Sequence, residues 1–126
     1  MNRRHNNQTL IALILIMSMC ILLPRVALGH AYPDHAEPKV GSTVNVSPER
    51  VRIWFDSALE PAFSSIMVHT EGGAMVDKRD GRVDPSDPTL LEAGVPPLPP
   101  GRYLVIWSVV ARDGHRTSGE FKFTIK

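Results

Sequence analysis

The sequence predicts an all-β domain, a two-sheet Greek-key sandwich of seven short strands, over residues 30–126. Three observations carry this expectation. Apolar residues recur with a period of two in several stretches, the pattern of strands with one face on a core. Turn-forming sequences separate those stretches: Gly41-Ser42, Ser47-Pro48, Gly72-Gly73, Asp80-Gly81, Asp84-Pro85, Pro96 to Gly101 and Asp113-Gly114. The chain of 126 residues also holds 11 prolines and 9 glycines, which disfavours a helical bundle.

The first segment stands apart. Met1 to Gly29 reads as a secretory signal peptide, with Arg3 and Arg4 ahead of an apolar run from Leu10 to Leu23. Pro24 ends that run, and Ala27-Leu28-Gly29 places small residues where a signal peptidase cuts. The competing reading is a membrane anchor, but the run falls short of the ~20 residues needed to span a bilayer. Met19 before Cys20 makes a poor lipoprotein signal, and two arginines alone do not make a twin-arginine one. Cleavage after Gly29 makes His30 the first residue of an exported protein.

The strands follow in order. A weak one is expected over Ala31–Pro38. In Val51–Phe55, Val51, Ile53 and Phe55 alternate with Arg52 and Trp54. Ile66 and Val68 alternate with Ser65, Met67 and His69. Weak strands are expected at Ala74–Asp77 and Thr89–Ala93, and the charged stretch Asp77–Asp87 is expected to form a mobile loop. Tyr103–Val110 is apolar except for Ser108, as in a central strand buried on both faces. Phe121, Phe123 and Ile125 alternate with Lys122 and Thr124 to the chain end. No Cys…Trp…Cys pattern of an antibody domain is present.

Composition excludes several chemistries. Residues 30–126 keep 11 of the 14 basic residues and all 13 acidic ones, a net charge of −2. Near-neutral charge with no basic cluster argues against nucleic acid as a partner. The one cysteine, Cys20, lies in the leader, so the exported domain has no disulfide, thiolate metal site or cysteine nucleophile.

Four histidines lie beyond the leader: His30, His35, His69 and His115. His115 follows Asp113-Gly114 at the end of the most apolar strand. A carboxylate and an imidazole two residues apart can point the same way, with Gly114 permitting a tight turn. A free N-terminal His30 adds two nitrogens, its amine and its ring. Together with Asp113 and His115 these make three nitrogens and one oxygen, a set that suits Cu(II). On the residues alone the other reading stays open: Asp113 caps a turn and His115 is an exposed loop residue.

From Gly101 the chain reads Gly-Arg-Tyr-Leu-Val-Ile-Trp-Ser-Val-Val-Ala-Arg-Asp-Gly-His-Arg-Thr-Ser-Gly-Glu-Phe-Lys-Phe-Thr-Ile. This resembles the signature of the CopC/PcoC family of periplasmic copper-binding proteins, G-x-Y-x-V-x-W-x-V-x-S-x-D-x-H-x-x-x-G-x-x-x-F, with Ala111 where Ser is common. His30, Pro38 and Gly41 fit the start of the family's mature chain, and Val51–Phe55 fits its first core strand. The resemblance implies a seven-stranded cupredoxin-like or immunoglobulin-like barrel. It also implies one Cu(II) per chain held by His30, Asp113 and His115, and a CopD-type inner-membrane protein as partner.

The chain departs from the family in one respect. Some members carry a second, Cu(I) site built from a Met-rich run with a His. Here only Met67 and Met75 remain beyond the leader, without an M-x-x-M series. Met67 and His69 can share a strand face, but Met reads more readily as gap-filling core. His35, five residues from His30, reads as a solvated strand or loop residue, with an orienting role at copper as its alternative. Trp54 and Trp107 read as core or partly exposed aromatics, and Glu49, Asp56 and Glu60 as solvated surface.

The function expected is that of a monomeric, periplasmic or secreted Cu(II) carrier. Two other classes compete. An N-terminal His braced by a second His resembles the copper site of polysaccharide monooxygenases, but Asp113 would fill the position that oxygen needs. A metal-free sandwich for protein contacts would make the His30 pattern accidental.

Overall fold

The computed structural model describes residues 30–126; the leader reading of residues 1–29 lies outside them. Eight strands form two sheets: β1 (Pro33–Glu37), β2 (Thr43–Val44), β3 (Arg50–Phe55), β4 (Ser65–Thr70), β5 (Arg82–Asp84), β6 (Asp87–Gly94), β7 (Gly101–Val110) and β8 (Arg116–Ile125). The first sheet has the order β1-β3-β6-β5 and the second β2-β8-β7-β4. All pairings are antiparallel except β2 with β8. Among the described residues no helix is long and apolar enough to cross a membrane.

The period of two becomes the core. Val51, Ile53 and Phe55 of β3 point inward, as do Ile66 and Val68 of β4 and Phe121, Phe123 and Ile125 of β8. Leu91, Ala93, Leu59 and Val83 fill the space between the sheets. Ile53, Leu59 and Leu91 are fully buried, so truncating any of them to Ala costs about 2–5 kcal/mol.

Three expectations are corrected. First, β7 is not buried on both faces. Tyr103, Val105, Trp107 and Val109 are buried, whereas Leu104, Ile106 and Ser108 are half-exposed on the outer face. Nothing among the described residues packs a second layer on that face, and apolar side chains on a sheet's outer surface are common. Second, Ala74–Asp77 is not a strand. It makes one isolated bridge, His69 to Met75, and two backbone bonds, Thr70 N–H to Ala74 C=O and Val76 N–H to Val68 C=O. It is an irregular arm closing the free edge of β4. Third, the charged stretch Asp77–Asp87 is pinned in place and contains β5. The Asp77 carboxylate accepts the Val68 and Arg79 amides, Asp80 accepts the Gly94 amide, and Asp84 accepts the Ser86 and Asp87 amides. Its carboxylates serve backbone donors rather than water, the habit that makes Asp a turn residue. With β2, a two-residue strand, this raises the count from seven to eight.

One close approach and one turn glycine shape the β7–β8 ribbon, whose ten residue pairs run in continuous register. Trp107 lies opposite Gly119, and a Cβ on Gly119 would fall 2.6 Å from the indole Cζ2. At the ribbon's end Gly114 adopts φ +91°, where an L side chain is strained.

Candidate metal centre

The candidate centre lies at the end of the sandwich where β7 turns into β8. That turn is closed by two backbone bonds, Gly114 N–H to Ala111 C=O and Ala111 N–H to His115 C=O, both 2.9 Å. Within it Asp113 binds His115 twice. Its Oδ1 accepts the His115 backbone N–H at 2.9 Å, and its Oδ2 lies 3.0 Å from His115 Nδ1. Against an ionised Asp113 the neutral His115 tautomer that makes this bond carries its proton on Nδ1 and leaves the Nε2 lone pair available, the arrangement by which a carboxylate orients a metal-binding imidazole. The His115 amide, then its imidazole, holds the Asp113 carboxyl below the usual carboxylate range, and the rings of His115 and His30 add smaller electrostatic contributions. Asp113 is therefore anionic wherever an imidazole could bind a metal.

His30 comes to this turn from the other end of the chain. Its ring lies 4.6 Å from that of His115, centroid to centroid, and tilted by 58°. The next residue, Ala31, is fully buried between the ends of the two sheets. Tyr32 follows, half-exposed, with its ring 6.0 Å from His30.

The structure thus brings together all three residues singled out in the sequence: His30 beside His115, and Asp113 on His115. It does not set them as a finished ligand cage, and among the described residues no three His, Cys, Asp or Glu side chains are grouped to hold a metal. Both Asp113 oxygens are occupied by His115. Each keeps a further lone pair, so the carboxylate can turn to an ion without releasing the turn. The donor types present are imidazole and carboxylate. They fit a tetragonal Cu(II) ion better than a soft one.

The remaining candidates sit elsewhere. His35 stacks on Trp54 at 4.4 Å with 9° between the planes, and its Nδ1 lies 2.9 Å from Asp34 Oδ2. It is a half-exposed strand residue on the outer face of the first sheet, opposite Trp54 in register. Met67 and His69 share the outer face of β4. Trp107 is core, edge-on to Phe55 at 5.2 Å. Sequence reasoning missed two residues that act on the N-terminal segment. Thr117 Oγ1 donates to the Ala31 carbonyl at 2.7 Å, and Asp56 Oδ1 accepts the Tyr32 N–H at 2.8 Å. Asp56, expected to be solvated surface, has a structural partner. The alternation of β8 could have flagged Thr117, as the one hydroxyl on its inward face near the turn.

Known proteins share this arrangement of sequence. The chain is 27% identical over 113 residues to the copper transport protein CutJ of Bacillus subtilis, covering 89% of this chain and 21% of that protein. It thus spans about a fifth of CutJ. It is also 27% identical to the copper resistance protein C of Escherichia coli, with 88% of this chain and 98% of that one covered. The crystal structure of CopC from Methylosinus trichosporium OB3b superposes with a TM-score of 0.68 at 31% identity, covering 77% of this chain and 94% of the other. Residues 34–126, from the second residue of β1 to the chain end, match the CopC domain. The two-sheet fold that carries the Asp113-Gly114-His115 turn is thus that of a CopC domain, and the chain belongs to the CopC family.

Proposed function

We propose that the protein is an exported, non-enzymatic copper carrier that holds one Cu(II) per chain. In this reading residues 1–29 are removed, the mature protein is periplasmic and monomeric, and the ion is passed to a membrane protein of the CopD type. The ligands are the amine and ring of His30, the His115 imidazole through Nε2, and the Asp113 carboxylate. The observation that carries the reading is the 4.6 Å approach of the His30 and His115 rings, from opposite ends of the domain, beside a carboxylate held ionised. The copper names of CutJ and of the copper resistance protein C support it.

The test is a competitive Cu(II) titration of the chain beginning at His30, with electron paramagnetic resonance of the product. One equivalent should bind and give a tetragonal type 2 signal with nitrogen couplings. His115→Ala should weaken binding by more than the roughly 10–100-fold that outer-shell changes cost. His69→Ala, on β4, should bind as the parent does. Equal curves for parent and His115→Ala would remove this residue from the site. An intense blue absorption would contradict the ligand set, since it needs a thiolate that residues 30–126 lack.

A further inference from the structure

A ligand at the first residue of a chain has an entropic problem. Terminal residues fray unless they are tied down, and a frayed His30 would spend most of its time away from His115. Three hydrogen bonds oppose this within two residues of His30. The Thr117 hydroxyl donates to the Ala31 carbonyl at 2.7 Å. The Asp56 carboxylate accepts the Tyr32 N–H at 2.8 Å, and the Asp56 N–H donates to the Tyr32 carbonyl at 3.0 Å. The first comes from β8 in the second sheet, the other two from the residue after β3 in the first sheet. The segment is therefore gripped from both layers.

The Thr117 contact is the more telling. Thr117 lies opposite Val109 in register, on the face of β8 that carries Phe121, Phe123 and Ile125 into the core. A hydroxyl is unusual there unless it has a partner. Its partner is the carbonyl of Ala31, a residue with no exposure to solvent. The side chain sits two residues from His115, so the short stretch leading from the turn into β8 presents the imidazole and also fixes the backbone beside His30.

We propose that Thr117 and Asp56 are positioning residues for the copper site, which hold the His30 amine and ring against His115 before the metal arrives. The proposal rests on the copper reading for its consequence, but the tether is testable without metal. Preorganisation of this kind stabilises the bound state by lowering the ordering cost of its ligands. Thr117→Val keeps the shape and the strand preference and removes the donor. Thr117→Ser keeps the donor. Asp56→Asn keeps an acceptor for the Tyr32 N–H, and Asp56→Ala removes it.

The experiment uses the chain beginning at His30, with two readouts per variant. Without metal, the nuclear Overhauser contact between the His30 and His115 rings reports the tether. With Cu(II) alone as titrant, competitive affinity and the nitrogen couplings report the site. Thr117→Val and Asp56→Ala should lose the ring contact and bind Cu(II) about 10–100-fold more weakly, with altered couplings. Thr117→Ser and Asp56→Asn should retain both. A merely structural role would lower the unfolding midpoint of Thr117→Val and leave its affinity and couplings unchanged, which would overturn the proposal. An undiminished ring contact in Thr117→Val would also overturn it, whatever the copper result. If the parent takes up no Cu(II) while Thr117→Val alone loses the ring contact, the copper reading fails and the tether stands.

Discussion

At the scale of single residues, carboxylates do most of the local work. Asp113 and Asp84 both have their pKa held below the ordinary range, by different turns. Asp113 accepts from His115; Asp84 accepts first from the Ser86 hydroxyl and then from the Ser86 amide. Because the folded value of Asp84 lies below the unfolded one, its stabilisation is whole above the ordinary carboxylate range and fades as pH falls through the lowered value. Asp84→Asn keeps the Oδ1 acceptor but cannot titrate. Urea midpoints measured from neutral pH down to pH ~3 should fall less steeply for Asp84→Asn than for the parent. An equal acid slope would show that the Ser86 contacts add nothing to the ionised form. For Asp113 the same lowering keeps the carboxylate ionised further into acid than an ordinary carboxylate.

At the scale of elements, the β7–β8 ribbon carries both packing and site. Gly119→Ala would place a methyl against the Trp107 indole, which is itself wedged edge-on to Phe55. The variant should lose about 1–3 kcal/mol in chemical denaturation, with a changed Trp emission maximum. A loss below the error of the fit would mean that Trp107 moves freely into the gap. The strands β3, β4 and β8 were legible because each has one dry and one wet face, so hydropathy alternates along the chain. In β7 the alternation was hidden: Leu104 and Ile106 face outward yet are apolar, and the strand read as doubly buried. β2 has only two residues and no period to read. β5 was masked by charge, since the bonds that anchor Asp77, Asp80 and Asp84 join residues up to 14 positions apart. At the site, the Asp113-Gly114-His115 spacing and the position of His30 could be read. The alternation of β8 singles out Thr117, but the partners of Thr117 and Asp56 could not be read, because they lie 86 and 24 positions away.

At the scale of the whole molecule, the sandwich brings its first described residue and its last hairpin to one end. On the copper reading, a ligand set drawn from both depends on His30 being the first residue of the mature chain. Placing one extra residue before His30 should leave the far-UV circular dichroism and the unfolding midpoint unchanged, since the core starts at Ala31. Cu(II) affinity should fall by more than the ~10–100-fold typical of outer-shell changes, because an amine ligand becomes an amide. Equal affinity for both forms would show that the amine is not a ligand. On the copper reading, the anchoring of Ala31 and Tyr32 also bears on when an ion can load. The fold holds the His30 ring against His115 while the His30 nitrogen is still joined to Gly29. On the reading of residues 1–29 as a leader, proteolysis builds nothing new: it frees one lone pair at a place already prepared. A precursor folded too early would be a blank cartridge, correctly shaped but short of a donor, and the protease that releases the chain would also arm it.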